Sequence, residues 1–87
     1  MNEYQIKFKS SAAKEFRKLP SKIKERIREA FNQLTENPLP AGVVKLKGED
    51  RLFRIRIGNY RIVYEIDDEV KLVLITRVRH RKDVYRD

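Results

Sequence analysis

The chain has 87 residues, of which 40% are hydrophobic and 39% are charged. This length allows one domain with a single modest core, spanning residues 1–87. A formal net charge of +8 favours nucleic acid or another polyanion as a partner. The absence of cysteine excludes disulfide frameworks, thiolate catalysis and Cys-based zinc sites. No apolar run is long enough to span a membrane and no signal-peptide segment follows Met1, so a cytoplasmic protein is expected.

The first half of the chain predicts one strand and two amphipathic helices. Residues 4–8 (YQIKF) alternate between apolar and polar side chains, as a strand does. Ser10 or Ser11 is the predicted N-cap of a first helix, and Ser21 that of a second helix ending at about Glu36. Their apolar stripes are Ala12, Phe16 and Leu19 in the first helix and Ile23, Ile27, Ala30, Phe31 and Leu34 in the second. Such stripes predict that both helices cover one face of a sheet.

Residues 37–50 (NPLPAGVVKLKGED) form the least regular segment. A connection of this length in a small domain tends either to be functional or to contain a short strand. Lys45 and Lys47 flank Leu46, so we expect Leu46 to anchor the segment while the lysines reach solvent. The two lysines are candidate phosphate contacts, with a purely solvent-exposed role as the alternative.

Residues 52–64 (LFRIRIGNYRIVY) predict a β-hairpin whose two-residue turn is Gly58-Asn59. This turn places Ile57 opposite Tyr60 and Arg56 opposite Arg61, and directly opposed residues share a face. The predicted apolar face comprises Phe53, Ile55, Ile57, Tyr60, Ile62 and Tyr64. The opposite face gathers Arg54, Arg56 and Arg61.

Three arginines on one small surface require an explanation, because like charges opposite one another normally destabilise a sheet. One explanation is a solvated face of a basic protein. The other is a polyanion site, since the planar guanidinium group binds phosphate oxygens bidentately. We favour the polyanion site.

The last part of the chain predicts an acidic turn and then a largely buried strand from Val70 to Val78. A basic tail, residues 79–87 (RHRKDVYRD), follows. Positive charges near the strand end are Arg77, Arg79, Arg81 and Lys82, with His80 and Tyr85 among them. Basic side chains beside an aromatic ring are suited to single-stranded RNA, with phosphates on the arginines and a base stacked on the ring.

If the chain cleaves RNA, its residues indicate a mechanism without a metal ion or other cofactor. The chain has a single histidine and no Gly-rich phosphate loop, which argues against a two-histidine metal centre. Attack by a 2′-hydroxyl on the adjacent phosphate needs a base, an acid and positive charge, and arginine supplies only the charge. Imidazole exchanges a proton near neutral pH, so His80 is the candidate proton carrier, with an ordinary surface role as the alternative. Tyr85 is expected to stack on or orient the substrate.

The whole chain resembles the RelE/ParE superfamily of toxin–antitoxin proteins, and most closely the RelE branch of messenger-RNA interferases. The matching segments run in family order: YQIKF, AAKEFRKLP, ENP, KLKG, FRIRIGNYRIVYEI and VRHRKDVY. The resemblance implies an α+β fold, with two N-terminal helices packed on a four-stranded, mostly antiparallel sheet. It also implies cleavage of mRNA in the ribosomal A site, and inhibition by a cognate RelB-like antitoxin.

The resemblance also assigns site residues. Arg61 and Arg81 would hold the scissile phosphate, and Arg81 would also assist the leaving group. Arg54 and Arg56 would position the phosphate and promote attack, and Tyr85 would orient the substrate. The remaining predicted RNA-binding residues are Lys45, Lys47, Arg77, Arg79 and Lys82.

One departure from the family pattern leaves the general base open. The best-known branch has lysines where this chain has Arg54 and Arg56, and His80 gains weight as a result. Two alternatives from other functional classes remain: a ParE-like inhibitor of DNA gyrase, and an RNA-binding module without catalysis.

Overall fold

The structure, a computed structural model, describes residues 3–46 and 51–80. Two helices and five strands follow one another in the order β-α-α-β-β-β-β. They are β1 (Gln5–Phe8), α1 (Ser10–Arg17), α2 (Ser21–Glu36), β2 (Val44–Lys45), β3 (Leu52–Ile57), β4 (Tyr60–Asp67) and β5 (Leu72–His80). The predicted first strand, both helices and the central hairpin are confirmed.

The helix starts correct the predicted caps. Ser10 and Ser21 are the first helical residues, and the N-cap positions are taken by Lys9 and Pro20. Neither cap makes a side-chain hydrogen bond. Both cap residues have extended backbones, with φ near −60° and ψ near 150°. Proline adopts this φ without cost, so Pro20 both separates the helices and starts the second one.

The strands form one mixed sheet in the order β1-β5-β4-β3-β2. β1 runs parallel to β5, and the other neighbours are antiparallel. The prediction of a four-stranded sheet was therefore wrong, since the sheet has five strands within the described residues. The extra strand is β2, which lies in the irregular segment and pairs Val44 with Arg54.

The last strand is also displaced from its predicted range of Val70 to Val78, since it begins at Leu72 and ends at His80. The β4–β5 turn extends through Lys71, whose positive φ of 55° is a turn conformation. Val70 consequently lies in the turn and is 66% exposed. The predicted strand therefore began two residues too early, because a mostly apolar run does not show where the turn ends and the strand begins.

The core lies between the two helices and one face of the sheet. Buried side chains from α2, including Ile27 and Leu34, meet buried residues of β4 and β5 such as Ile62 and Ile75. Phe8 of β1 contacts the rings of both Phe16 and Phe31 at centroid distances of 5.4 Å. The helices thus cover the apolar sheet face, as the stripes predict, and leave the opposite face uncovered by helices.

One buried tyrosine joins the sheet to the segment after α2. Tyr64 of β4 is fully buried, and its hydroxyl donates a hydrogen bond of 2.7 Å to the carbonyl of Pro38. Burial raises the pKa of Tyr64, so this hydroxyl stays protonated as a donor. The hydrogen bond ties down the start of the segment that leads to β2.

Candidate nucleic-acid interface

The β3–β4 hairpin places the predicted arginines on one face. Its register pairs Arg56 with Arg61 and Arg54 with Val63, as the sequence predicts. The turn residue Gly58 has a φ of +59°, which the tight hairpin turn demands and glycine adopts freely. We define the outer face as the sheet face opposite the helices.

The β4–β5 pairing extends this cluster. Arg61 lies opposite Arg79, and Val63 lies opposite Arg77. The outer face therefore carries arginines from three neighbouring strands: Arg54, Arg56, Arg61, Arg77 and Arg79.

A β-bulge in β5 brings the last two arginines to that face. Tyr64 pairs with Ile75, whereas the preceding residue Val63 pairs with Arg77, so Thr76 is an extra residue. Strict alternation from the buried Ile75 would direct Arg77 toward the helices. The extra residue reverses the alternation, and the Thr76 hydroxyl donates to the Val63 carbonyl at 3.1 Å. Bulges commonly redirect side chains beside functional sites, and nothing in the sequence pattern revealed this one.

Burial and neighbouring positive charges both disfavour the charge on Arg54. Burial lowers the pKa of the Arg54 guanidinium, and the charges of Arg61 and Arg56 lower it further. Arginine remains protonated at neutral pH, so the lowered pKa shows that the protein disfavours this charge. A bound anion would relieve the repulsion and would be favoured here.

A small concavity lies beside these charges. It has a volume of about 220 Å³ and is lined by Gly42, Val44, Arg54 and Arg56. A water molecule occupies about 30 Å³ in the liquid, so the concavity has room for a phosphate group. The short strand β2 forms one wall, which links the irregular segment to the arginine cluster.

Two predicted site residues lie on the opposite side of the sheet. His80 pairs with Tyr60, in the row that includes Ile57, and contacts the Tyr60 ring at 5.1 Å in an edge-on geometry. Lys45 pairs with Phe53, on the helix side of the edge strand. The structure thus does not bring the side chains of His80 and Lys45 to the outer face.

Arg79 makes an additional contact outside the sheet. Its Nε donates to Oε2 of Glu15 in α1 at 3.0 Å, and Oε1 of Glu15 accepts the Val78 N–H at 2.8 Å. The sequence pattern did not single out Glu15, because helical spacing alone makes it one more polar residue on an amphipathic helix.

Four predicted site residues, Lys47, Arg81, Lys82 and Tyr85, lie outside the described residues. In the part of the chain that the structure describes, no three His, Cys, Asp or Glu residues cluster as a metal site would require. Over residues 3–46 and 51–80, neither helix combines the length and apolar content needed to cross a bilayer.

The chain is similar to known toxins over nearly its whole length. Residues 6–85 match the family described as the ParE toxin of the type II toxin–antitoxin system parDE. The chain is also 39% identical over 84 residues to toxin RelG of Mycobacterium tuberculosis, covering 95% of this chain and 97% of RelG. The chain belongs to the RelE/ParE family of toxins.

Within the family, this toxin is of the RelE type. It is 33% identical over 89 residues to the mRNA interferase toxin RelE of Escherichia coli, covering 97% of this chain and 92% of that protein. Its fold matches the toxin in the archaeal RelE–RelB complex from Pyrococcus horikoshii OT3, with a TM-score of 0.81 and 29% identity. That match covers 93% of this chain and 97% of the other. These similarities confirm the RelE-like α+β fold and the membership that the motifs indicated.

Proposed function

We propose that this RelE-type toxin is a ribosome-dependent mRNA endoribonuclease that cleaves in the A site without a metal ion. The main support for this proposal is the outer face. Three adjacent strands present arginines there, beside a concavity with enough volume for a phosphate group. The similarity to a relative named an mRNA interferase supports the same activity. Acting on ribosomes would place the protein in the cytoplasm.

In the proposed reaction the 2′-hydroxyl of the substrate loses its proton to a base and attacks the neighbouring phosphate, while the bond to the 5′-oxygen breaks and that oxygen takes up a proton. The products are a 2′,3′-cyclic phosphate and a 5′-hydroxyl. Negative charge develops on the non-bridging oxygens of the phosphate, and Arg61 and Arg81 would bind these oxygens. Arg54 and Arg56 would position the phosphate from the side of the concavity. Each donor aimed at such charge contributes roughly 3 kcal/mol to lowering the barrier.

The proposed arginines cannot carry out the proton transfers of this reaction, so other site residues would have to do so. Guanidinium does not release its proton near neutral pH, so the arginines act through charge and position. Tyr85 would stack on or orient the nucleotide. The role of His80 as proton carrier stays a prediction, and its position on the helix side counts against it. Arg77, Arg79, Lys47 and Lys82 would contact the flanking RNA, whereas the position of Lys45 on the helix side counts against the same role for it.

We further propose a RelB-like antitoxin as the protein partner. The neighbouring structure from Pyrococcus horikoshii is a RelE–RelB complex. The outer face is left uncovered by the helices, so an antitoxin segment that reached it would compete with RNA.

The test is primer extension on mRNA from a translating extract to which purified toxin is added. We expect new 5′ ends at A-site codons with the wild type, and none on naked mRNA or with Arg61→Ala. Arg17→Ala, which removes an equal charge from the exposed end of α1, should cleave normally. Equal cleavage by the Arg61→Ala variant would contradict the assigned site.

The ParE description of the matching family supports one competing function, inhibition of DNA gyrase. A gyrase inhibitor would leave the mRNA intact in the extract and block supercoiling by purified gyrase. Uncut mRNA together with inhibited gyrase would therefore replace the first proposal. Binding of RNA with steep salt dependence, but without cuts, would indicate a non-catalytic module.

A further inference from the structure

The edge of β5 that faces β1 is paired along only part of its described length. β1 pairs with β5 only from Leu72 to Ile75, and a backbone hydrogen bond of 2.8 Å from the Lys9 N–H to the Ile75 carbonyl closes this pairing. Beyond Ile75 the edge of β5 has no strand beside it within the described residues. Edge N–H groups need a partner or water.

Glu15 supplies that partner. Its Oε1 accepts the backbone N–H of Val78 at 2.8 Å, in a contact between residues 63 positions apart. The Val78 side chain is buried in the core at 2% exposure. Glu15 therefore fixes the backbone at the point where β5 continues past β1.

The second oxygen of the same carboxylate holds a side chain. Oε2 accepts from Nε of Arg79 at 3.0 Å, and the two side chains are 26% and 38% exposed for Glu15 and Arg79. Arg79 lies opposite Arg61 on the outer face. The negative charge of Glu15 thus offsets one positive charge at the margin of the arginine cluster and fixes where that guanidinium lies.

We call the contacts of the Glu15 carboxylate with Val78 and Arg79 the Glu15 clamp. Its position bears on the proposed RNA-cleavage site. The strand pairing sets Arg79 of β5 opposite Arg61 of β4, so the position of one guanidinium bears on the position of the other. We propose that Glu15 is a positioning residue, which holds β5 through Val78 and Arg79 and so sets where the Arg79 guanidinium lies relative to Arg61. This inference rests on the proposed function, in which Arg61 holds the scissile phosphate.

A positioning role predicts a split between turnover and binding. Glu15→Gln keeps an oxygen for the Val78 N–H but loses the charge that holds Arg79. We expect kcat for cleavage on programmed ribosomes to fall about tenfold, because small misplacements of catalytic groups are costly. KM should change less than twofold. Glu25→Gln, at an exposed position of α2, is the matched control and should retain both constants.

A double-mutant cycle tests the path through Arg79. If Glu15 acts through that guanidinium, Glu15→Gln combined with Arg79→Met should have a kcat no lower than Arg79→Met alone. Fully additive losses would overturn that path. A kcat loss explained entirely by a smaller folded fraction, measured by circular dichroism, would reduce Glu15 to a structural residue and overturn the proposal, as would a rise in KM alone.

Amide hydrogen exchange separates this inference from the proposed function. The Val78 amide should be protected in the wild type and in Glu15→Gln, and should lose protection in Glu15→Ala. A wild type that cuts no mRNA would refute the nuclease proposal, and with it the catalytic consequence of the clamp, while exchange still shows whether the clamp exists. A wild type that cuts mRNA, together with a fully active Glu15→Gln variant, would refute this inference alone.

Discussion

The substitution Arg56→Gln should stabilise the fold while it weakens the proposed activity. Arg56 is exposed and lies directly opposite Arg61, and its charge is one of those that lower the pKa of Arg54. Glutamine keeps a polar side chain of similar reach but removes the charge. Like charges opposite one another on a sheet are destabilising, by an amount comparable to the roughly 0.2–1 kcal/mol of favourable cross-strand pairs.

We expect the free energy of unfolding to rise by about 0.5 kcal/mol, which corresponds to an increase in Tm of roughly 2–4 °C for a domain of this size. The gain should appear at about 50 mM salt and shrink at about 1 M, where the screening length falls to about 3 Å. In the primer-extension assay the same variant should lose about 100-fold in cleavage rate.

Thermal unfolding at both salt concentrations checks the stability effect, with Arg17→Gln in α1 as the charge-matched control. A lower or unchanged Tm at low salt would refute the reasoning that repulsion among the arginines of the outer face destabilises the fold. A gain that persisted in high salt would show that the effect is not electrostatic.

Three further predictions concern single contacts. Tyr64→Phe removes the hydroxyl that donates to the Pro38 carbonyl, so we expect a loss of about 1 kcal/mol in urea unfolding; an unchanged midpoint would show that the hydrogen bond adds nothing. Burial opposes ionisation of Asp67, but hydrogen bonds from Arg51 and from the Val70 and Glu69 N–H groups lower its pKa overall. Its stabilising contribution is therefore present above the ordinary aspartate pKa, near pH 4, and is lost as pH falls through the lowered native pKa. Asp67→Asn should flatten the acid limb of the stability curve, and an unaltered limb would contradict this assignment. His80→Gln should retain most of the cleavage rate if the helix-side position beside Tyr60 excludes the imidazole from the reaction; a loss of about 100-fold or more would establish His80 as the proton carrier.

The sequence by itself determined the elements whose signals are local. Apolar residues at helical spacing predicted α1 and α2, and Gly58-Asn59 set the β3–β4 register residue by residue. Two strands joined by a two-residue turn have only one close register. For this reason the amino-acid sequence alone suffices to place Arg54, Arg56 and Arg61 on one face of the sheet.

Only the tertiary structure decided the features that depend on distant parts of the chain. The parallel pairing of β1 with β5 and the short strand β2 join segments that their own patterns describe only as strand or loop. The bulge at Thr76 reverses the alternation, so that Arg77 and Arg79 join the outer face while His80 turns away from it. Glu15 meets Val78 and Arg79 across more than 60 residues. Side-chain periodicity reports the neighbours along one element, whereas a bulge or an edge contact is set by what packs beside that element.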